Sequence, residues 1–193
     1  LISEEPTLYT IALAFNVENL NTDRFEKALN KLIARHEGLR TSFENRNGQI
    51  MQIIEENASI NVQKLESDDI TVFNTPFELE KAPLLRVGYF ENTIFFVIHH
   101  IIADGETMNI IFRELNELYM GRELDNTPVQ YGEFAVTDSY TEENENYWLD
   151  IFKDDIPVLE LPYDRPRGAV QSFEGSNIYH RISKSLHERI EDK

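Results

Sequence analysis

The chain has 193 residues, 41% of them hydrophobic, enough to bury the core of one domain or most of one. It contains no cysteine, which excludes a disulfide framework and a thiolate zinc site and suits a reducing cytoplasm. A formal net charge of -17 opposes binding to nucleic-acid phosphates, and no apolar run approaches the roughly 20 residues that span a bilayer.

In chain order, Thr7–Val17 is rich in β-branched and aromatic residues and reads as a strand. A helix follows, with Asn21 or Thr22 as its cap, Phe25, Ala28, Leu29, Leu32 and Ile33 at helical spacing, and Gly38 as its end. Asn47-Gly48 then marks the tight turn of a hairpin over "LRTSFENRNGQIMQII". A short strand is expected near residues 60–65. Two apolar runs in "PLLRVGYFENTIFFVIHH" pair about Glu91-Asn92, and the second is continuous enough for a central strand covered on both faces.

From Glu106 to Met120, residues Met108, Ile111, Phe112, Leu115, Leu118 and Tyr119 form one helix face. A further helix is predicted over residues 141–152, with Tyr147, Trp148, Ile151 and Phe152 inward. Pro157, Pro162 and Pro166 make the next stretch extended. A strand is expected over Phe173–Ile182. Ser185 and Glu188 form a capping box that opens a last, short helix. A chain starting at Leu1 and ending two turns into that helix is expected to be a fragment of a larger protein. Irregular alternation of strands and helices gives an α/β class, with a mixed sheet flanked by helices.

The chemistry concentrates in "HHIIADG", His99 to Gly105. Successive side chains of a strand point to opposite faces, so His99 and His100 cannot both reach one small ligand. That counts against a paired-histidine zinc site, and His36, His180 and His187 stand in unrelated contexts. Asp104 is placed to cap the next helix through the N–H of Glu106 or Thr107. Gly105 either serves a tight turn or leaves its N–H bare for a substrate carbonyl. A helix N-terminus carries roughly half a positive charge and opposes protonation of a nearby imidazole. Histidine, bare glycine N–H and helix start within six positions are the parts that acyl transfer requires.

The "HHIIADG" segment resembles the HHxxxDG motif of condensation domains in nonribosomal peptide synthetases, within the chloramphenicol acetyltransferase-like superfamily. Other stretches resemble that family's blocks in the same order: "ARHEGLRTSF" (Ala34–Phe43), "PFELEKAPLLRVGYF" (Pro76–Phe90), "PVQYGEFAV" (Pro128–Val136) and "LELPYDRPRGAVQSFEG" (Leu159–Gly175). The family's opening S-x-A-Q-x-R block and its later GxFVNT region have no counterpart here. The resemblance implies a chloramphenicol acetyltransferase-like lobe over residues 1–172. Residues 173–193 would then be a crossover strand and the first helix towards the C-terminal lobe of the same domain. It implies that His100 is catalytic, as base or as positioner of the incoming amine, and that Gly105 leaves room for a pantetheine-borne acyl group. His99 would support, and Asp104 would form a buried salt bridge with Arg40, facing away from substrate. No metal or cofactor is expected on the lobe itself. Substrates would arrive on the phosphopantetheine arms of upstream and downstream peptidyl carrier protein domains.

Four other readings compete, of which a metal-dependent hydrolase comes last. A non-catalytic carrier-docking module would not need an intact motif. An epimerisation domain shares HHxxxDG but carries Ser-Trp soon after it, where this chain has "ETMN". A heterocyclising relative would have aspartate in place of His99. The lobe alone is expected to be inactive and to self-associate through the face that meets its partner lobe.

Overall fold

The computed structural model describes residues 7–137, 141–154, 156–166, 173, 175, 176 and 178–191. The chain divides into two units, Leu1–Trp148 and Leu149–Lys193. In the first, β1 (Thr10–Asn16), β5 (Leu85–Phe90) and β6 (Thr93–His99) join a short β4 (Gln63–Lys64) in one sheet of order β1-β6-β5-β4. β6 pairs antiparallel with both β1 and β5, while β4 runs parallel to β5, so the sheet is mixed. β4 comes so close at Gly88 that a Cβ there would sit 3.1 Å from the Gln63 carbonyl oxygen. Separately, β2 (Thr41–Arg46) and β3 (Gln49–Ile54) form the expected hairpin. Its turn residues Asn47 and Gly48 have φ of 56° and 86°, the values that Asn-Gly tolerates.

The central strand has two dry faces, as its continuous apolar run predicts. Ile94, Phe96 and Ile98 point into the larger core, which α1 (Thr22–Arg35) and α3 (Gly105–Tyr119) cover with Phe25, Leu29, Leu32, Ile33, Met108, Ile111 and Leu115. Phe95 and Val97 point the other way, to Phe73 of α2 (Ile70–Phe73) and to Ile70 and Phe77. Asn21 caps α1, its side chain accepting from the N–H of Arg24 at 2.9 Å.

α1 ends at His36, earlier than Gly38. The residues beyond it fold instead into a 3-10 turn, Glu37–Arg40, for an electrostatic reason. Glu114 of α3 is buried in the apolar stripe and accepts from Arg35 Nε at 3.1 Å, with His36 Nε2 at 2.7 Å from the same oxygen. Gln130 secures the next residue, accepting the N–H of Glu37 at 2.9 Å and donating to the Arg35 carbonyl at 3.2 Å. Arg35 also donates to the carbonyls of Asp125 and Asn126.

Elsewhere the structure departs from expectation. α4 (Tyr131–Thr137) has no counterpart in the predicted elements, and α5 (Glu142–Ile151) buries no residue. Tyr147, Trp148, Ile151 and Phe152, expected inward, are all about half exposed; periodicity marks an apolar face without saying what covers it. In the second unit, residues 156–166 form neither helix nor ladder, as their prolines predict. The strand expected over Phe173–Ile182 is not formed among the described residues there, where Ile178 and Tyr179 stand exposed without a paired edge. Residues 167–172, including the boundary expected after 172, lie outside the described residues. α6 (Lys184–Glu191) is capped two residues ahead of the anticipated capping box, because Ser183 rather than Ser185 accepts the N–H of Leu186, at 3.3 Å.

The Glu114 carboxylate joins α1, α3 and the segment that Arg35 reaches, with its side chain only 12% exposed. Glu114→Ala should lower the unfolding free energy by about 2–3 kcal/mol in urea denaturation, because Arg35 and His36 lose their acceptor. A loss below about 0.5 kcal/mol would mean the pair is ordinary surface electrostatics.

Candidate functional site at the end of β6

Backbone hydrogen bonds hold β6 up to its last residue and one beyond. The N–H of His99 donates to the Leu84 carbonyl at 3.0 Å, and that of His100 to the Tyr9 carbonyl at 2.7 Å. The chain then turns sharply, with the N–H of Ile102 donating to the His99 carbonyl at 3.2 Å and Ala103 buried as an anchor. Asp104 opens α3: its Oδ1 accepts the N–H of Thr107 at 2.8 Å and the Thr107 hydroxyl at 2.7 Å.

The two histidines take different environments, as strand alternation requires. His99 lies on the face of Phe95 and Val97, half-buried, with its ring edge-on to Phe77 at 6.1 Å. Its Nδ1 accepts the N–H of Ile101 at 3.0 Å, so in the neutral ring the proton is on Nε2. Burial, and secondarily the neighbouring His100, push its pKa below the ordinary histidine value. His100 is exposed.

Asp104 does cap the helix, as expected, but it is exposed and forms no ion pair with Arg40. The N–H of Thr107 and then its hydroxyl hold the carboxyl below its usual range, with smaller contributions from the N–H of Glu106 and the charge of His100. Arg40 sits at the end of the 3-10 turn. It donates from one Nη to the Glu55 carbonyl at 2.7 Å and from the other to Glu37 at 3.5 Å, while its Nε is buried without a partner. The anticipated buried Asp104–Arg40 bridge is thus replaced by two local arrangements. Each side chain bonds close to home: Asp104 to the start of α3, and the two Nη atoms of Arg40 to Glu55 and Glu37 at the corner into the β2–β3 hairpin.

Gly105 is the first residue of α3, and a Cβ built on it would meet nothing within 4 Å. Neither a crowded backbone nor a positive φ demands glycine at this position. What the missing side chain leaves is open space at a helix start.

His99, His100, Asp104 and Gly105 therefore share one strand-to-helix junction, and Arg40 belongs to a different corner. Sequence reasoning missed Phe77 and Arg86, which pack behind His99. It also missed Glu114, whose signal was a carboxylate set among Ile111, Leu115 and Leu118. Among the described residues, no group of three His, Cys, Asp or Glu side chains could hold a metal ion, and no helix is long and apolar enough to cross a membrane. An apolar cavity of about 450 Å³, lined by residues that include Phe15, Phe25, Phe112 and Tyr119, lies at the opposite end of β6 beside Ile94.

Comparison with known proteins gives a consistent picture. The family model for the condensation domain matches residues 1–192. Tyrocidine synthase 3 of Brevibacillus parabrevis is 42% identical over 199 residues, covering 93% of this chain and 3% of the synthase. Gramicidin S synthase 2 of Aneurinibacillus migulanus is 38% identical over 202 residues, covering 92% of this chain and 4% of the synthase. The chain thus spans a few per cent of the length of the curated relatives it matches. Among solved structures, a four-domain nonribosomal peptide synthetase bound to AMP and glycine superposes with a TM-score of 0.70 at 23% identity, over 96% of this chain and 16% of that one. At that identity the likeness shows a shared fold, the mixed sheet flanked by helices.

The geometry separates Asp104 from Arg40, so their contributions to stability should be independent. In thermal melts, the losses from Asp104→Ala and Arg40→Ala should simply add in the double variant. A double variant no worse than the poorer single one would reinstate the bridge. Because the folded pKa of Asp104 is depressed, its contribution is present above the unfolded carboxylate pKa and disappears as pH falls through the folded value. Asp104→Asn should therefore flatten the acid limb of the melting profile below about pH 4.

Proposed function

This chain belongs to the condensation-domain family, and we propose from that premise that it carries the reactive histidine of an enzyme that forms amide bonds between carrier-bound acyl groups. The observation that carries the reading is an exposed imidazole, His100, five residues ahead of the first residue of a capped helix, and that residue has no side chain. Names of the relatives, synthases of tyrocidine and gramicidin S, support a peptide product.

In the proposed reaction, an aminoacyl amine on the downstream carrier attacks the carbonyl carbon of the upstream thioester. A nitrogen–carbon bond forms, and the carbonyl oxygen takes the negative charge of a tetrahedral intermediate. The intermediate collapses, the carbon–sulfur bond breaks, and the thiol of the phosphopantetheine arm leaves with the proton that the amine gives up. His100 holds the amine and takes its proton, or steers it, at the open end of β6. The N–H of Gly105, at the positive end of α3, faces the oxygen on which charge develops. The space where a Cβ would stand admits the pantetheine-borne group. His99, Asp104 and Arg40 act indirectly: the first ties the turn, the second starts the helix, the third braces the corner before the hairpin.

Residues 1–172 are proposed as the first lobe and residues 173–193 as the crossing to a second, with the working cleft between lobes. The partners are then upstream and downstream peptidyl carrier domains, and the compartment is the cytoplasm, in keeping with a chain without cysteine. By itself this chain should give no turnover.

In the complete enzyme, His100→Ala should lower amide formation by about 10²–10⁴-fold, the range for loss of a general acid–base group, with unchanged circular dichroism. Wild-type turnover in that variant would refute the role.

A further inference from the structure

We propose that Arg86 and Phe77 are positioning residues for the reaction proposed above, acting through His99 as a tautomer lock on the turn that presents His100. The inference rests on that reading for its link to turnover and on geometry alone for the lock.

Arg86 lies on β5 opposite Val97, and on the same face of β6 the next residue is His99. Its guanidinium stacks over the Phe77 ring at 3.9 Å from the centroid. Both of its Nη atoms are anchored by donation to backbone carbonyls, Thr75 at 2.6 Å and Pro76 at 2.7 Å. The cation therefore fixes both the strand of chain that carries Phe77 and the ring itself. Phe77 in turn stands edge-on to His99. With its ring walled on that side, His99 directs Nδ1 back at the N–H of Ile101. That bond closes the turn from inside, one residue after His100.

The lock has a condition attached. Nδ1 can accept only while it is unprotonated; when it takes a proton from solvent it becomes a donor, and the Ile101 N–H faces another N–H. Burial and, after it, the adjoining His100 favour the neutral form; the other groups on that side are Arg86, stacked on Phe77, and the uncharged Thr10, its neighbour on β1. Among the described residues no carboxylate hydrogen-bonds to it. Loss of the wall should let solvent in, raise the proton affinity of His99, and loosen the turn at a higher pH than in the wild type.

Two readouts test this. In the 193-residue chain, long-range ¹H–¹⁵N NMR should show His99 with an imine-type Nδ1 and a protonated Nε2, and Phe77→Leu should replace that signal with a mixture of tautomers. Phe77→Tyr, which keeps the ring, should restore it. In the complete enzyme, Phe77→Leu should slow amide formation by between about 10- and 100-fold, the scale of a misplaced group, and move the acid limb of the rate profile to higher pH. Arg86→Gln should do the same to both readouts, and serves if the Phe77 variant does not fold. An unchanged tautomer in both variants overturns the lock; a lost tautomer with an unmoved acid limb overturns its link to catalysis. A wild-type enzyme silent at every pH would instead refute the amide-forming reading, and the NMR signal alone would then decide the lock.

Discussion

Alternation along a strand covered on both faces is the constraint on which the rest depends. β6 buries Ile94 to Ile98 against two separate cores, so each residue's direction is fixed by its parity. At the end of that run the same rule divides the histidine pair. His99 falls on the side of Phe95 and Val97 and is absorbed into structure, whereas His100 comes just past the last ladder residue and remains exposed. A strand with one soft face could slip by a residue and exchange the two roles. Here a slip would drive Phe95 and Phe96 into the wrong cores.

The junction is held from three directions by different chemistry. Behind it, the backbone of His100 is hydrogen-bonded to Tyr9. Ahead of it, Asp104 satisfies the first turn of α3, placing the bare Gly105 N–H at the positive end of the helix. Below it, the Arg86–Phe77–His99 stack supports the turn. The far end of α3 is secured independently, where Glu114 draws in Arg35 and His36. These contacts keep α1 and α3 packed on the sheet, so the site inherits its precision from ion pairing that lies well away from it.

Much of the fold was legible because its signals are local. Asn21 as a cap, Asn47-Gly48 as a turn, the face from Met108 to Tyr119 and the continuous run into His99 all report geometry within a few residues. What escaped the sequence depends on neighbours in space. The end of α1 is set by a carboxylate 78 positions away from His36, not by Gly38. The aromatic face of α5 was readable, but its exposure was not. Ser183 displaced Ser185 as the last helix cap through a difference of two positions, a scale on which capping patterns are ambiguous. At the site, the different environments of the two histidines and the capping by Asp104 were legible from strand alternation and helix-start chemistry. The Asp104–Arg40 bridge did not form, because a pairing implied by resemblance lapses when each partner finds nearer hydrogen bonds.

In the proposed reaction the His100 imidazole, and not that of His99, reaches the attacking amine next to the thioester carbon. A pantetheine amide bearing a haloacetyl group puts an electrophilic carbon next to that position, and peptide mass spectrometry of the complete enzyme would identify the residue it alkylates. The account predicts a single adduct on His100, with His99 unmodified. An adduct on His99, or a probe that reacts elsewhere while His100 stays untouched, would contradict it.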